Sequence, residues 1–442
     1  MEDSSSMISG TSLSQRMWYK LNETSAGLLA SRNQQSIKSD LSEYKSQDII
    51  RINLNARGLC DTLNSYLSFN FNFVGNLVGG QSNFGIRGSL SKIFSRVRLL
   101  GFDGTVIEDI SNIDTWYHHL VNNMYSKAYR NTKGSVEGLR EPQVEPTASG
   151  NTVQTDGYVD SQGFASTEWA LKMATESNYI IPLSYIPFFS TNKLLPLSNL
   201  GTMTLELTLT QAAVCAQWHL LAAAPGGNYA NQVPEYRVKS VECVLDLIKP
   251  SDVVQATLNK LAQAGQITLP WSEIFINSVS GVAQGGSFQL SKPVYSVKSA
   301  FVLPRVTADL VNAGADSYKS VTADTVSQYN FLHASQMYPA KPLDTVPKYF
   351  VQTCRSFNHY NDLRYPHCYN LKEYQAGGFL ASLEAERDPG QSSTTGLSTK
   401  NGNNLQLDVT FTTPNSQKTL TWICMYEKVC QVKADMSLTI ME

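Results

Sequence analysis

The chain has 442 residues, of which 42% are hydrophobic and only 16% charged, with a formal net charge of −2. Domains run to about 100 to 200 residues, so two cores are expected, and a charged fraction below the roughly 25% usual for soluble domains predicts broad uncharged surface of the kind that subunits share. The charge balance leaves no basic field for nucleic acid and no polybasic membrane anchor, which points to proteins as partners.

Residues 1–45 are rich in Ser, Asn and Gln and lack sustained periodicity, which predicts an N-terminal arm that is partly mobile or ordered only by contacts. Its charges cancel: Arg16, Lys20, Arg32, Lys38 and Lys45 stand against Glu2, Asp3, Glu23, Asp40 and Glu43. Met1 to Gly10 contain no apolar run, so no secretory signal is expected and the protein is expected to be made in the cytosol or nucleus. Ile50 to Ala56 and Leu67 to Phe73 alternate apolar and polar residues, the pattern of half-buried strands. A glycine-punctuated connection, Gly75 to Gly88, leads to the apolar segment Ile93 to Leu100 and a turn at Asp103-Gly104. From Ile107 to Met124, apolar residues at spacings of three and four predict an amphipathic helix packed on a β-core.

Residues 131–168 hold Gly, Pro, Asn, Thr and Ser without an apolar period and predict a long surface loop, a feature that is usually functional. Tyr179 to Phe189 reads as a strand that Pro182 and Pro187 confine to an edge or force to bend. In Thr202 to Thr210, Met203, Leu205, Leu207 and Leu209 point one way and Thr204, Glu206 and Thr208 the other. Ala212 to Ala224 is the most apolar stretch, but it is interrupted by Gln217 and His219 and falls well short of the roughly 20 residues that span a bilayer. Tyr236 to Ile248 closes the first half, and helical spacing over residues 249–264 predicts a connector.

The second half repeats the plan: Gly378 to Glu386, a Gly/Ser/Thr loop to Asn403, the alternating Leu405 to Phe411, and a long final strand from Leu420 to Lys433. The fold class is therefore all-β and antiparallel. The expected organisation is an arm over 1–45, a first β-domain over 46–249 carrying the loop 131–168, a connector over 250–265 and a second β-domain over 266–442.

No residue pattern calls for chemistry. Cysteines 60, 215, 243, 354, 368, 424 and 430 are odd in number and widely spread, which fits free thiols in a reducing compartment. Cys354, His359, His367 and Cys368 form the one Cys/His cluster, yet their spacing is not that of a zinc site. His118 and His119 are adjacent and cannot share one helix face, so packing or surface roles are expected. Glu384 and Glu386 lie two apart, on one face of a strand, and read as a solvated face rather than an acid–base pair. The glycines of 75–88 lack the pattern of a phosphate cradle, and the sequon Asn22-Glu23-Thr24 is one in form only. The expected catalytic, cofactor and metal residues are none, and the protein is not expected to be an enzyme.

Several strings taken together resemble a known family. Ser65-Tyr66-Leu67-Ser68-Phe69, Ile93-Phe94-Ser95-Arg96-Val97-Arg98-Leu99 and Asp103-Gly104-Thr105-Val106-Ile107-Glu108-Asp109-Ile110 resemble, in order and spacing, the first jelly roll of double jelly-roll major capsid proteins of the virophage and polinton-like virus type. Ile181-Pro182-Leu183 through Leu194-Leu195-Pro196-Leu197 does likewise, and Gly396 to Val409 resembles the loop and strand of the second barrel. The resemblance implies two consecutive eight-stranded jelly-roll barrels with short helices in the connections, and a homotrimer that forms a pseudo-hexagonal capsomer of an icosahedral virion. Neighbouring capsomers, penton proteins and minor capsid proteins would be its partners. The competing reading is a jelly-roll spike that binds a receptor or carbohydrate; the loop 131–168 weakens it by carrying only Tyr158 and Phe164 as aromatics. A coat protein with a basic genome-binding arm is disfavoured by the five-against-five charge count.

Overall fold

The computed structural model describes residues 29–74, 77–78, 81–82, 84–86, 89–126, 128–129, 132–138, 141–144, 156–159, 176–191, 193–218, 235–310, 317–357, 370–386, 396–412, 416–433 and 435–442. Sixteen strands carry the architecture. The first eight are β1 (Leu29–Lys38), β2 (Ile49–Leu54), β3 (Leu59–Val74), β4 (Phe94–Leu100), β5 (Val106–Ser111), β6 (Ser177–Pro182), β7 (Met203–Leu209) and β8 (Glu235–Pro250). The second eight are β9 (Ile267–Val282), β10 (Gly285–Gln289), β11 (Val297–Val306), β12 (Val326–His333), β13 (Gln336–Leu343), β14 (Ala381–Glu384), β15 (Leu405–Phe411) and β16 (Lys418–Val432).

Pairing in the first set gives two sheets, β1-β8-β3-β6 and β2-β7-β4-β5. The second set gives β9-β16-β11-β14 and β10-β15-β12-β13. Each strand of the first half has a counterpart eight strands later with the same neighbours, and all pairings are antiparallel. Two facing four-stranded sheets joined by long crossovers make a jelly roll, and the chain contains two in succession.

Strand β7 shows why the pattern folds this way. Leu205 lies opposite Ile52 on one side and Leu99 on the other, and Leu207 opposite Ile50 and Val97. All six side chains are buried on one sheet face. On the other face Glu206 accepts from Arg51 at 2.8 Å and faces Arg98 at 3.6 Å. Leu207 belongs to the first core and Val409 to the second. Leu207→Ala should therefore cost about 2 to 5 kcal/mol, whereas Glu206→Ala, which breaks only ion pairs to half-exposed arginines, should cost under about 1 kcal/mol. Chemical denaturation of both variants tests the assignment, and equal losses would refute it.

The two sheets of the second barrel are not buried alike. In β16, Leu420, Trp422 and Cys424 enter the second core, while Ile423, Cys430 and Val432 join the first. Phe301 and Leu303 of β11 also turn toward the first barrel, while Ala300 and Val302 turn inward. This sheet is covered on both faces, which is why its strands read as near-continuous apolar runs. At β10 the backbones come close: a Cβ on Gly285, at φ 118°, would stand 2.1 Å from the Val409 carbonyl oxygen, so only glycine fits.

Three expectations need correction. Within 1–45, residues 29–38 are β1, which pairs with β8, and Glu43–Lys45 pairs with β8 as well, so the first barrel begins before residue 46. β1 is an edge strand with mostly exposed side chains, hence its polar sequence. Arg32 holds it, donating to Asp246 at 2.9 Å and reaching Asp61 at 3.0 Å. The segment from Ile107 to Met124 is a strand followed by a helix: Val106–Ser111 pairs with β4, Asn112 adopts a left-handed φ of 57°, and α1 runs over Ile113–Met124. Regular pairing after Tyr179 ends at Pro182 and gives way to 3-10 turns through Ser190, with β6 at the sheet edge. The connector helix α2 spans Asp252–Gln263, and α3 spans Val346–Ser356. Within 131–168, Glu141–Val144 and Asp156–Val159 pair as a hairpin, and much of the rest lies outside the described residues.

Candidate functional site

The two barrels meet along a seam with an aromatic part and an ionic part. Helix α1 supplies much of the first, and it is buried nearly all round instead of on one face only. Its Trp116 stacks on Phe357 at 6.1 Å and 21° and lies 6.1 Å from Phe301, while Phe301 and Phe357 stack at 4.5 Å. Phe188, in the turn after β6, meets Trp271 of β9 edge-on at 5.2 Å. Such pairs add directional preference to simple burial and set how one barrel sits on the other.

Polar groups cross the same seam. Tyr318 donates from its hydroxyl to Asp114 Oδ2 at 2.7 Å, its ring stacks on His118 at 5.6 Å, and Lys92 Nζ lies 4.4 Å from the ring centroid. Ser317 donates to the Val214 carbonyl at 2.8 Å. Burial pushes the Asp114 carboxyl above its ordinary range, against the pull of the Tyr318 hydroxyl.

The ionic part centres on Lys428 of β16. Its ammonium contacts Glu273 Oε2 of β9 at 2.7 Å and Glu442 Oε1 at 3.2 Å, and donates to the Ile107 carbonyl of β5 at 3.2 Å. Next along β5, Glu108 is fully buried and accepts from the Phe188 amide at 3.2 Å. Glu442 is also held by Lys292 at 2.9 Å.

The residues singled out from the sequence do not converge. Cys354 is buried on α3, where desolvation pushes its thiol up to about 11, so it is a poor thiolate donor. His359, His367 and Cys368 lie outside the described residues, as does the sequon Asn22-Glu23-Thr24. His118 and His119 are both buried in α1, with rings 4.9 Å apart, and Asn122 Nδ2 lies 3.1 Å from His118 Nε2. Glu384 ends β14 and Glu386 lies just beyond the strand, 3.9 Å from Lys298; burial raises the Glu384 carboxyl and Glu386 adds to this, with Arg355 opposing. In the segment 75–88, Gly85 belongs to a two-residue pairing with Gln217–Trp218, and Gly75, Gly79, Gly80 and Gly88 lie outside the described residues. The six described cysteines are buried and unbridged. Among the described residues no group of three or more His, Cys, Asp or Glu is placed to hold a metal, and no helix is long and apolar enough to cross a membrane.

The seam itself was missed. Its members, at 108, 273, 428 and 442, are far apart in sequence, and the one signal was charge inside apolar strand runs, as at Glu427-Lys428.

No protein-family model matches the chain, and no curated protein sequence matches it. Solved structures do. The Faustovirus major capsid protein superposes with a TM-score of 0.62 over 97% of this chain and 94% of that one, at 9% identity. A chain in the cryo-EM structure of the Sputnik virophage matches with a TM-score of 0.58 over 98% of this chain and 92% of that one, at 13% identity. At these identities the likeness is one of fold, and it spans both barrels and the connection between them. The chain has the double jelly-roll fold of viral major capsid proteins.

Proposed function

We propose that the chain is a major capsid protein that assembles as a homotrimer, giving a pseudo-hexagonal capsomer that tiles an icosahedral virion. The single observation that carries this reading is the same strand order built twice and joined along a buried seam. Such a block presents two similar barrels at a fixed relation, and three blocks around an axis place six barrels in a ring. A ring closed by one repeated heterologous contact needs no second kind of interface. The first barrel is taken to run to residue 249 and the second over 266–442, with 250–265 between them. The function is structural and not enzymatic, in keeping with the capsid proteins whose fold it shares. Its partners are further copies of itself, neighbouring capsomers, and penton and minor capsid proteins, and it resides in the virion after synthesis in the host cytoplasm or nucleus.

Light scattering with mass analysis on dilute protein tests this. Interfaces between permanently associated subunits often bury more than about 2,000 Å², so a species of three chains should persist on dilution. Contacts between trimers should depend on concentration and salt. A stable monomer would overturn the reading.

A further inference from the structure

The ionic part of the seam is unbalanced. Three carboxyl groups, Glu108, Glu273 and Glu442, gather around two ammonium groups, Lys292 and Lys428. Lys400 lies over the Tyr295 ring, 3.4 Å from its centroid, and meets Glu442 at the backbone oxygen, at 3.1 Å. Lys428 engages Glu273 and Glu442, and Lys292 engages Glu442, whereas Glu108 has no ion pair among the described residues. Its one hydrogen-bond donor there is the Phe188 amide, at 3.2 Å to Oε1 and 3.4 Å to Oε2.

The groups that face Glu108 come from each element around it: Glu273 from β9, Lys428 from β16, Tyr117 from α1 and the Phe188 amide from the turn after β6. Its neighbour Asp109 pairs instead with Arg96 and Arg98 in its own sheet. A carboxylate in this position would be desolvated, unpaired and close to a second carboxylate, whereas the neutral acid leaves the cluster with matched charges.

We propose that Glu108 holds a proton in the folded protein, and that losing it weakens the contact between the two barrels. The direction of titration agrees: burial drives the Glu108 carboxyl well above its ordinary range and Glu273 adds to this, with the Phe188 amide and Lys428 opposing. The folded chain then binds a proton that the unfolded chain releases near pH ~4.3. Its stabilising contribution is complete below that pH and is lost as pH rises toward the folded value, by up to about tenfold in the folding equilibrium per pH unit. The proposal concerns the seam within one chain and stands whether or not the protein forms shells.

Urea unfolding of the full chain between pH 5 and 8 (about the span over which a raised carboxyl titrates), wild type against Glu108→Gln, is the test. Asp114, Glu137 and Glu384, also raised by burial, are present in both proteins and cancel, and Glu273, likewise raised by burial, stays paired with Lys428 in both. The wild type should lose stability relative to the variant as pH rises, with the ratio of unfolding constants changing by up to about tenfold per pH unit. Glu108→Asp, which keeps the carboxyl, should retain the dependence. Parallel wild-type and Gln curves would overturn the proposal. If neither variant folds, infrared spectroscopy decides: a neutral-carboxyl band at neutral pH that persists in Asp114→Asn and Glu137→Gln chains and fades in step with stability supports it, and no such band overturns it.

Discussion

Replacing Lys428 by Ala should destabilise the chain by about 3 to 5 kcal/mol, the range seen when one partner of a buried ion pair is removed. Lys428 and Glu273 are both almost wholly buried and their charged atoms lie 2.7 Å apart. Without the ammonium, Glu273 keeps a charge in an apolar seam, the Ile107 carbonyl loses a donor, and Glu108 loses a cation that opposes the effect of its burial. The loss belongs to what is left behind rather than to the worth of the pair. The double variant Lys428→Met with Glu273→Gln should therefore recover most of it. Denaturant unfolding of wild type and both variants measures this. A single variant as mild as Lys348→Ala, which breaks an exposed pair to Asp344, would show the seam to be wet and the argument wrong.

Trp116→Ala should cost a similar amount, about 3 to 5 kcal/mol, by a different route. The indole is buried and sandwiched in a layer with Phe301 and Phe357, so truncation empties a large volume between two barrels whose backbones cannot easily collapse into it. Trp116→Phe retains part of the layer and should cost clearly less. Thermal unfolding separates the two, and near-identical midpoints for Ala and Phe would mean that the layer does not hold the barrels together.

Strands with one wet face were legible because alternation survives wherever one side chain in two meets solvent. Leu405 to Phe411 and Met203 to Leu209 match β15 and β7 to within a residue. Strand β1 was not, since both faces of Leu29–Lys38 carry polar residues and its place depends on hydrogen bonds to a strand two hundred positions later. The junction between β5 and α1 was hidden because Ile107 and Ile110 fit a helical period by chance, and the break rests on the backbone of Asn112 alone. The ionic seam could not be read at all. A glutamate in a strand looks solvated until the sheet that covers it is known.

The pairing of β1 with β8 governs how the chain acquires its structure. Arg32 must wait for Asp246, 214 positions on. At about 5 to 20 residues per second this is roughly 10 to 40 s of synthesis during which the first barrel cannot close. Non-local pairing of this kind also folds slowly once the chain is complete. Throughout the delay β3 lacks the strand that will lie between it and β1, and an open strand edge accepts whatever β-segment reaches it. Copies emerging side by side from one message carry that very segment, so the nearest competitor for the correct partner is the same strand of a sister chain.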